Sequence, residues 1–153
     1  QVSPEASTED VPQLRVVRGD VELRGTLVSG VLSVEPAGAL LGRELSLGNL
    51  EVSGGSAIVR ESNMTGLRVR DGGTVRVETS TIEGKGRAGL DGTVYVDDST
   101  VEILRSSVSD TGHAPVLLRN RAGSLRLDGS VLWSEGRSSA TVLRSRGGTV
   151  EVF

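Results

Sequence analysis

The sequence has no cysteine and only one histidine among its 153 residues. Without thiols the chain forms no disulfide and no zinc–thiolate site, and a single histidine excludes a metal site built from several imidazoles. Aromatic side chains are also scarce, because Tyr95, Trp133 and Phe153 are the only ones. The core is therefore expected to be thin and aliphatic, and no metal or other cofactor is predicted.

Long apolar runs and a strong charge of one sign are missing as well. No run approaches the ~18 residues of a membrane-spanning helix, so no membrane span is predicted. The formal net charge is -3. That balance argues against bulk nucleic-acid binding, and nucleic acid is not a predicted partner.

The sequence does contain many glycines, 21 in all, and an internal repeat. Four segments align without gaps, with apolar residues at the first, third and eighth positions and serine at the sixth. They begin at Ala57, Val75, Val101 and Leu125, and a fifth segment begins at Val150. Alternation with period two predicts strands whose apolar side chains point inward. The residues predicted to be almost fully buried are Val75, Val77, Ile82, Val101, Ile103, Val108, Leu125, Leu127 and Leu132.

A further alternating strand precedes each segment, so each repeat holds three short strands joined by glycine-rich turns. The inward pairs of these strands are Leu50/Val52, Leu67/Val69, Val94/Val96, Val116/Leu118 and Thr141/Leu143. No helical period survives more than one turn, which predicts an all-β solenoid over residues 13–153. Residues 1–12 contain Pro4 and Pro12 and are predicted to form a flexible N-terminal arm or linker. An antiparallel sandwich is the alternative fold, although it does not explain a gapless register.

The glycine-rich segments 71–84 and 104–112 resemble the right-handed parallel β-helix repeats of the pectin-lyase-like superfamily. The resemblance covers residues 14–153 and implies a right-handed parallel β-helix of about six to seven coils, with three short strands per coil. The same architecture serves lyases, hydrolases, adhesins and inert scaffolds, so it does not identify an activity. Asp97-Asp98 and Gly112-His113 are similar to elements of the polygalacturonases, but they are expected at separate turns of one coil.

Stacked coils place equivalent residues ~4.8 Å apart. The outward second positions of the segments form a row in which the charges alternate in sign from Arg76 onward. This row consists of Ile58, Arg76, Glu102, Arg126 and Glu151. The sixth positions, Ser62, Ser80, Ser106 and Ser130, are expected to stack at a corner and to hydrogen-bond one another.

Three long turns, 83–92, 109–115 and 133–140, follow the inward residue at the same place on successive coils. They are expected to lie side by side as one rim, where solenoids usually place binding residues. The candidate binding residues of this rim are Lys85, Arg87, Asp110, His113, Trp133, Glu135 and Arg137. Trp133 should point outward, because it directly follows the inward Leu132. No residue is predicted to be catalytic or to ligate a metal.

The sequence therefore predicts a non-catalytic module of the bacterial cell envelope or the extracellular space. It would act as a rigid scaffold whose rim contacts a glycan or an envelope protein. One alternative is a fragment of a polysaccharide lyase or hydrolase. A second alternative is a self-assembling scaffold in which chains associate end to end.

Overall fold

The structure, a computed structural model, describes residues 10–85, 92–112, 116–135 and 141–153. All regular structure in these ranges is β, the recorded strand pairings are parallel, and the sheet curls as in a β-solenoid. No helix in the described part of the chain is long and apolar enough to cross a membrane. The strands are β1 Val11–Arg24, β2 Leu27–Arg43, β3 Ser46–Ser53, β4 Ser56–Arg60, β5 Asn63–Arg70, β6 Thr74–Glu78, β7 Thr81–Gly84, β8 Val94–Asp97, β9 Thr100–Leu104, β10 Ser107–Asp110, β11 Val116–Arg121, β12 Ser124–Asp128, β13 Val131–Ser134, β14 Thr141–Arg146 and β15 Thr149–Val152.

The later strands form three stacks, one on each side of the solenoid. The first contains β7, β10 and β13, the second β5, β8, β11 and β14, and the third β4, β6, β9, β12 and β15. The predicted all-β fold with parallel strands is confirmed. Its handedness and the number of coils stay predictions.

The first strands differ from the predicted pattern of three short strands per coil. β1 has 14 residues and β2 has 17, and shifts in register let β2 follow the corner without a turn. One corner of β2 lies at Ser29 and Gly30, next to Gly48 of β3. A Cβ at Gly48 would overlap the carbonyl oxygens of Ser29 and Gly30, so only glycine fits at this position. β1 begins at Val11, two residues before the predicted domain boundary, and residues 1–9 of the predicted arm lie outside the described ranges.

The gapless register of the repeat is confirmed. Ala57 pairs with Val75, and the pairing continues through Val101 and Leu125 to Val150. The preceding strands align differently at one step, because Val94 pairs with Leu118 rather than with Val116. An offset of two residues keeps the same side chains facing inward, so the sequence pattern alone did not distinguish the two registers.

Eight of the nine predicted core residues are buried, with exposed fractions of 1 to 2% for Leu125 and Leu127 and 0% for the other six. Leu132 is only partly buried, contrary to the prediction. Its strand, β13, has a described neighbour on one side only, β10. One face of Leu132 therefore has no apolar partner in the described part of the chain.

The serine column stacks at a corner as predicted, but its hydroxyls bond the backbone rather than one another. The Ser80 hydroxyl donates to the carbonyl oxygen of Glu78 at 2.7 Å and accepts from the N–H of Ser62 at 3.1 Å. The same two kinds of bond recur at Ser62 and Ser106. A small hydroxyl side chain at this corner therefore satisfies backbone groups of two successive coils.

Candidate functional site

The described beginnings of the three long turns lie next to one another. Glu83 pairs with Ser109, and Ser109 pairs with Trp133 on the next coil. Three of the predicted rim residues, Arg87, His113 and Arg137, lie outside the described residues. The rim is thus described at Lys85, Asp110, Trp133 and Glu135.

Three of these four side chains are accessible. The indole of Trp133 points outward with 41% of the residue exposed, and Lys85 and Glu135 are exposed as well. The N–H of Glu135 donates to the carbonyl oxygen of Asp110 at 3.0 Å, which extends the parallel pairing one residue past β13. Trp133 therefore stands on regular, hydrogen-bonded backbone.

Asp110, which was predicted to belong to the rim, is buried with no exposed surface. Its carboxylate accepts from the Thr93 hydroxyl at 3.0 Å and from the N–H of Gly112 at 2.8 Å. A Cβ at Gly84 would overlap both the carboxylate and the Thr93 hydroxyl, so glycine leaves the space that Asp110 occupies. The hydrogen bond from the N–H of Gly112 to the Asp110 carboxylate, two residues earlier, forms an Asx turn. The sequence Asp-Thr-Gly favours such a turn.

A groove of about 520 Å³ lies beside the place where the first long turn leaves the solenoid at Gly84 and returns at Gly92. Its polar lining consists of Asn49, Glu51, Thr65, Arg68, Lys85, Thr93 and Tyr95. The guanidinium of Arg68 lies 5.7 Å from the centre of the Tyr95 ring, and the Tyr95 hydroxyl donates to Asp97 at 3.3 Å. An open groove that combines charges of both signs with an aromatic ring suits binding of a polar ligand.

Lys85 is the one residue of this groove that the sequence analysis named as a candidate binding residue. The outward positions of β5 and β8 carry the signal for Arg68 and Tyr95, because these residues alternate with the inward Leu67, Val69, Val94 and Val96. Among the described residues, no group of three or more Asp, Glu, His or Cys side chains is placed to hold a metal ion.

The predicted row of alternating charges is in register, with Arg76 opposite Glu102, Glu102 opposite Arg126 and Arg126 opposite Glu151. Arg76 forms an ion pair with Glu102 at 3.5 Å. Arg126 instead pairs with Asp128, two residues ahead on its own strand, at 3.3 Å. Arginines on this face therefore pair with acids both across strands, as Arg76 does, and along one strand, as Arg126 does.

Glu78 is the acid most enclosed by cations on this face, with 9% of its side chain exposed. It accepts from Arg76 at 2.7 Å and from Arg60 at 2.6 Å. These two hydrogen bonds, with the charges of the same arginines, lower the pKa of Glu78. The ionised carboxylate holds three successive coils together, since Arg60 and Glu78 lie on neighbouring strands and Arg76 also reaches Glu102.

We expect acid to destabilise the fold partly through Glu78. Folding lowers its pKa, so its contribution is fully present above the ordinary glutamate value of about 4.3 and is lost as pH falls through the lower folded value. The melting temperature of the wild type should fall in this acidic range by more than that of Glu78→Gln. Parallel melting curves of the two proteins at decreasing pH measure this difference, and identical pH dependence would contradict it.

No protein-family model, curated protein or solved structure matches this chain. Its resemblance to the pectin-lyase-like superfamily therefore stays a prediction, while the all-β parallel architecture stands on the described strand pairings.

Proposed function

We propose that this chain is a non-catalytic right-handed β-helix module of the bacterial cell envelope or the extracellular space, with about six to seven coils. It acts as a rigid binding scaffold whose rim contacts a glycan or a protein. The observation that supports this proposal most directly is the in-register placement of Glu83, Ser109 and Trp133 where the long turns begin.

A stack of this kind is preorganised for binding. Trp133 stands on β13, which is hydrogen-bonded to β10 of the neighbouring coil, so little backbone entropy is lost there when a ligand binds. The exposed indole of Trp133 offers a flat apolar surface with a polar N–H at its edge. Such a ring stacks on a sugar or packs into a pocket of a partner protein.

Four of the described acids serve the fold and are not arranged for cleavage of a glycan. Acid–base cleavage of a glycan requires two carboxyl groups converging on one bond. Glu61, Glu78 and Asp128 are instead ion-paired with arginines, and Asp110 is buried in a turn. These carboxylates stabilise the scaffold.

The single tryptophan allows a direct test. Titration with pectate, alginate and chondroitin, each followed by Trp133 fluorescence, should show a saturable change with at least one glycan and no turnover of any. Isothermal titration calorimetry then compares the variants, because Trp133→Ala has no tryptophan signal, and this variant should bind about three- to tenfold more weakly because the stacking contact is lost. Val131→Ala is the matched control, since Val131 lies on the same face of β13 with 61% exposed and should bind as the wild type does.

Two outcomes would reject the proposal. Turnover of a glycan that disappears in Glu135→Gln would favour the enzyme fragment. An absence of any fluorescence change, together with a particle size that grows with protein concentration, would favour the self-assembling scaffold.

A further inference from the structure

The outward side of the second stack, β5, β8, β11 and β14, is rich in arginine. Its outward residues, here called the arginine face, are Arg68, Arg70, Tyr95, Asp97, Arg119, Arg121, Arg144 and Arg146. These four strands thus carry six outward arginines and one aspartate, with Glu51 of the neighbouring β3 opposite Arg68, although the whole chain has a net charge of -3. Positive charge is concentrated on this face and the rest of the molecule is acidic.

Register places these residues in two straight rows along the solenoid. In one row Arg68 is opposite Tyr95, Tyr95 is opposite Arg119, and Arg119 is opposite Arg144. In the other, Arg121 lies between Asp97 and Arg146. The rows are two residues apart on each strand, or roughly 7 Å, and neighbouring coils are ~4.8 Å apart.

In the third stack, outward charges are arranged so that they stabilise the fold. There Arg76, Glu102, Arg126 and Glu151 alternate in sign. On the arginine face, by contrast, Arg121 is directly opposite Arg146. Like charges opposite each other destabilise a sheet, so folding does not account for this pair.

Three of these arginines form no ion pair in the described part of the chain, although Asp97, which accepts from the Tyr95 hydroxyl, stands opposite Arg121. Arg121, Arg144 and Arg146 are exposed, and within the described ranges none forms an ion pair. Arg43 and Arg60 are also opposite each other on neighbouring strands, but they pair with Glu61 at 2.8 Å and Glu78 at 2.6 Å. The chain thus neutralises one stacked arginine pair and leaves another free for an external anion.

We propose that the arginine face is a docking surface for an anionic lipid bilayer. Two parallel rows form a plane of charge, and a planar headgroup layer contacts both rows at once. Each arginine near such a surface adds to the attraction, and clusters of four to eight basic residues are typical of anionic-lipid binding. The rows lie within one Debye length of each other, about 10 Å at 0.1 M salt, so their charges act together.

The composition of the face distinguishes a bilayer from a single-stranded nucleic acid. Binding of single strands uses a series of aromatic rings on which successive bases stack. Tyr95 is the one ring on the arginine face, and Arg68 lies over it at 5.7 Å. The acidic remainder of the chain would face away from the membrane and orient the solenoid with its stacks along the bilayer plane.

Cosedimentation with vesicles tests the proposal. The wild type should bind vesicles of about three parts phosphatidylcholine to one part phosphatidylglycerol, and not pure phosphatidylcholine, with binding that weakens as salt is added. Arg121→Gln/Arg146→Gln should weaken this binding about thirtyfold. Arg43→Gln/Arg60→Gln removes the same charge from a neutralised pair and should bind within about twofold of the wild type. Melting curves establish that both variants fold.

Three outcomes would overturn the inference: no binding of the wild type to the anionic vesicles, equal losses in the two variants, or tighter binding to an oligonucleotide than to the vesicles. The vesicle experiment is independent of the proposed rim. Trp133→Ala should bind vesicles like the wild type, so failure at the rim and failure at the arginine face are distinguishable.

Discussion

Ile103→Ala should lower the free energy of unfolding by about 2–5 kcal/mol. Ile103 has no exposed surface and lies on β9, between β6 and β12. Truncation leaves a cavity that borders two neighbouring coils. Each coil of a solenoid is stabilised mainly by its neighbours, so the loss affects both interfaces of this coil. Urea unfolding followed by circular dichroism measures the change.

Ile58→Ala is the matched control, because it removes the same atoms from an outward position. Ile58 is 37% exposed and stands opposite Arg76 on the charged face. Its truncation should cost less than about 1 kcal/mol. Equal effects at the two positions would show that the inward and outward faces of the strands are assigned incorrectly.

Asn120→Val should destabilise the protein by about 2 kcal/mol, roughly 1 kcal/mol for each backbone group that loses its partner. Asn120 is fully buried, and the inward residues before it in its row, Val69 and Val96, are apolar. Its amide donates to the carbonyl oxygens of Gly123 at 3.1 Å and Thr149 at 3.2 Å, and its oxygen accepts from the N–H of Gly123 at 3.2 Å. Valine extends the apolar row but leaves the Gly123 N–H and the Thr149 carbonyl oxygen without their partner, whereas the Gly123 carbonyl oxygen keeps the hydrogen bond that it accepts from the Thr149 N–H at 2.9 Å.

The comparison variant for this experiment is Ser145→Ala. Ser145 is opposite Asn120 on the next strand, is exposed, and accepts a long hydrogen bond of 3.4 Å from its amide. Its removal should change the free energy of unfolding by less than about 0.5 kcal/mol. If Asn120→Val proved as stable as the wild type, the added apolar contact would outweigh the lost hydrogen bonds.

Prediction of the candidate site from the sequence was less complete than prediction of the fold. The outward direction of Trp133 follows from strand alternation, because its neighbour Leu132 is apolar. The sequence grouped Asp110 with the turn after Val108, but it is the last residue of β10 and faces inward like Val108, two residues before it. The space that it occupies is left by Gly84 on the neighbouring strand, and the Thr93 hydroxyl donates to its carboxylate.

The arginine face was also not predicted from the sequence. Arg121 and Arg146 are 25 residues apart in the chain, and each taken alone is an ordinary exposed residue. They become neighbours only through the pairing of β11 with β14, whose register depends on the lengths of the intervening turns.

Local alternation in the sequence by itself determined the parallel β architecture, the register from Ala57 to Val150 and the inward face of each segment. A strand buried on one side must repeat with period two, and a stack of coils must repeat from one circuit to the next. Tertiary structure alone decided the space and the hydroxyl donor that Asp110 finds, the backbone partners of the serines and the clustering of like charges. These features join atoms from different coils, and their distances depend on how the turns bring the coils together.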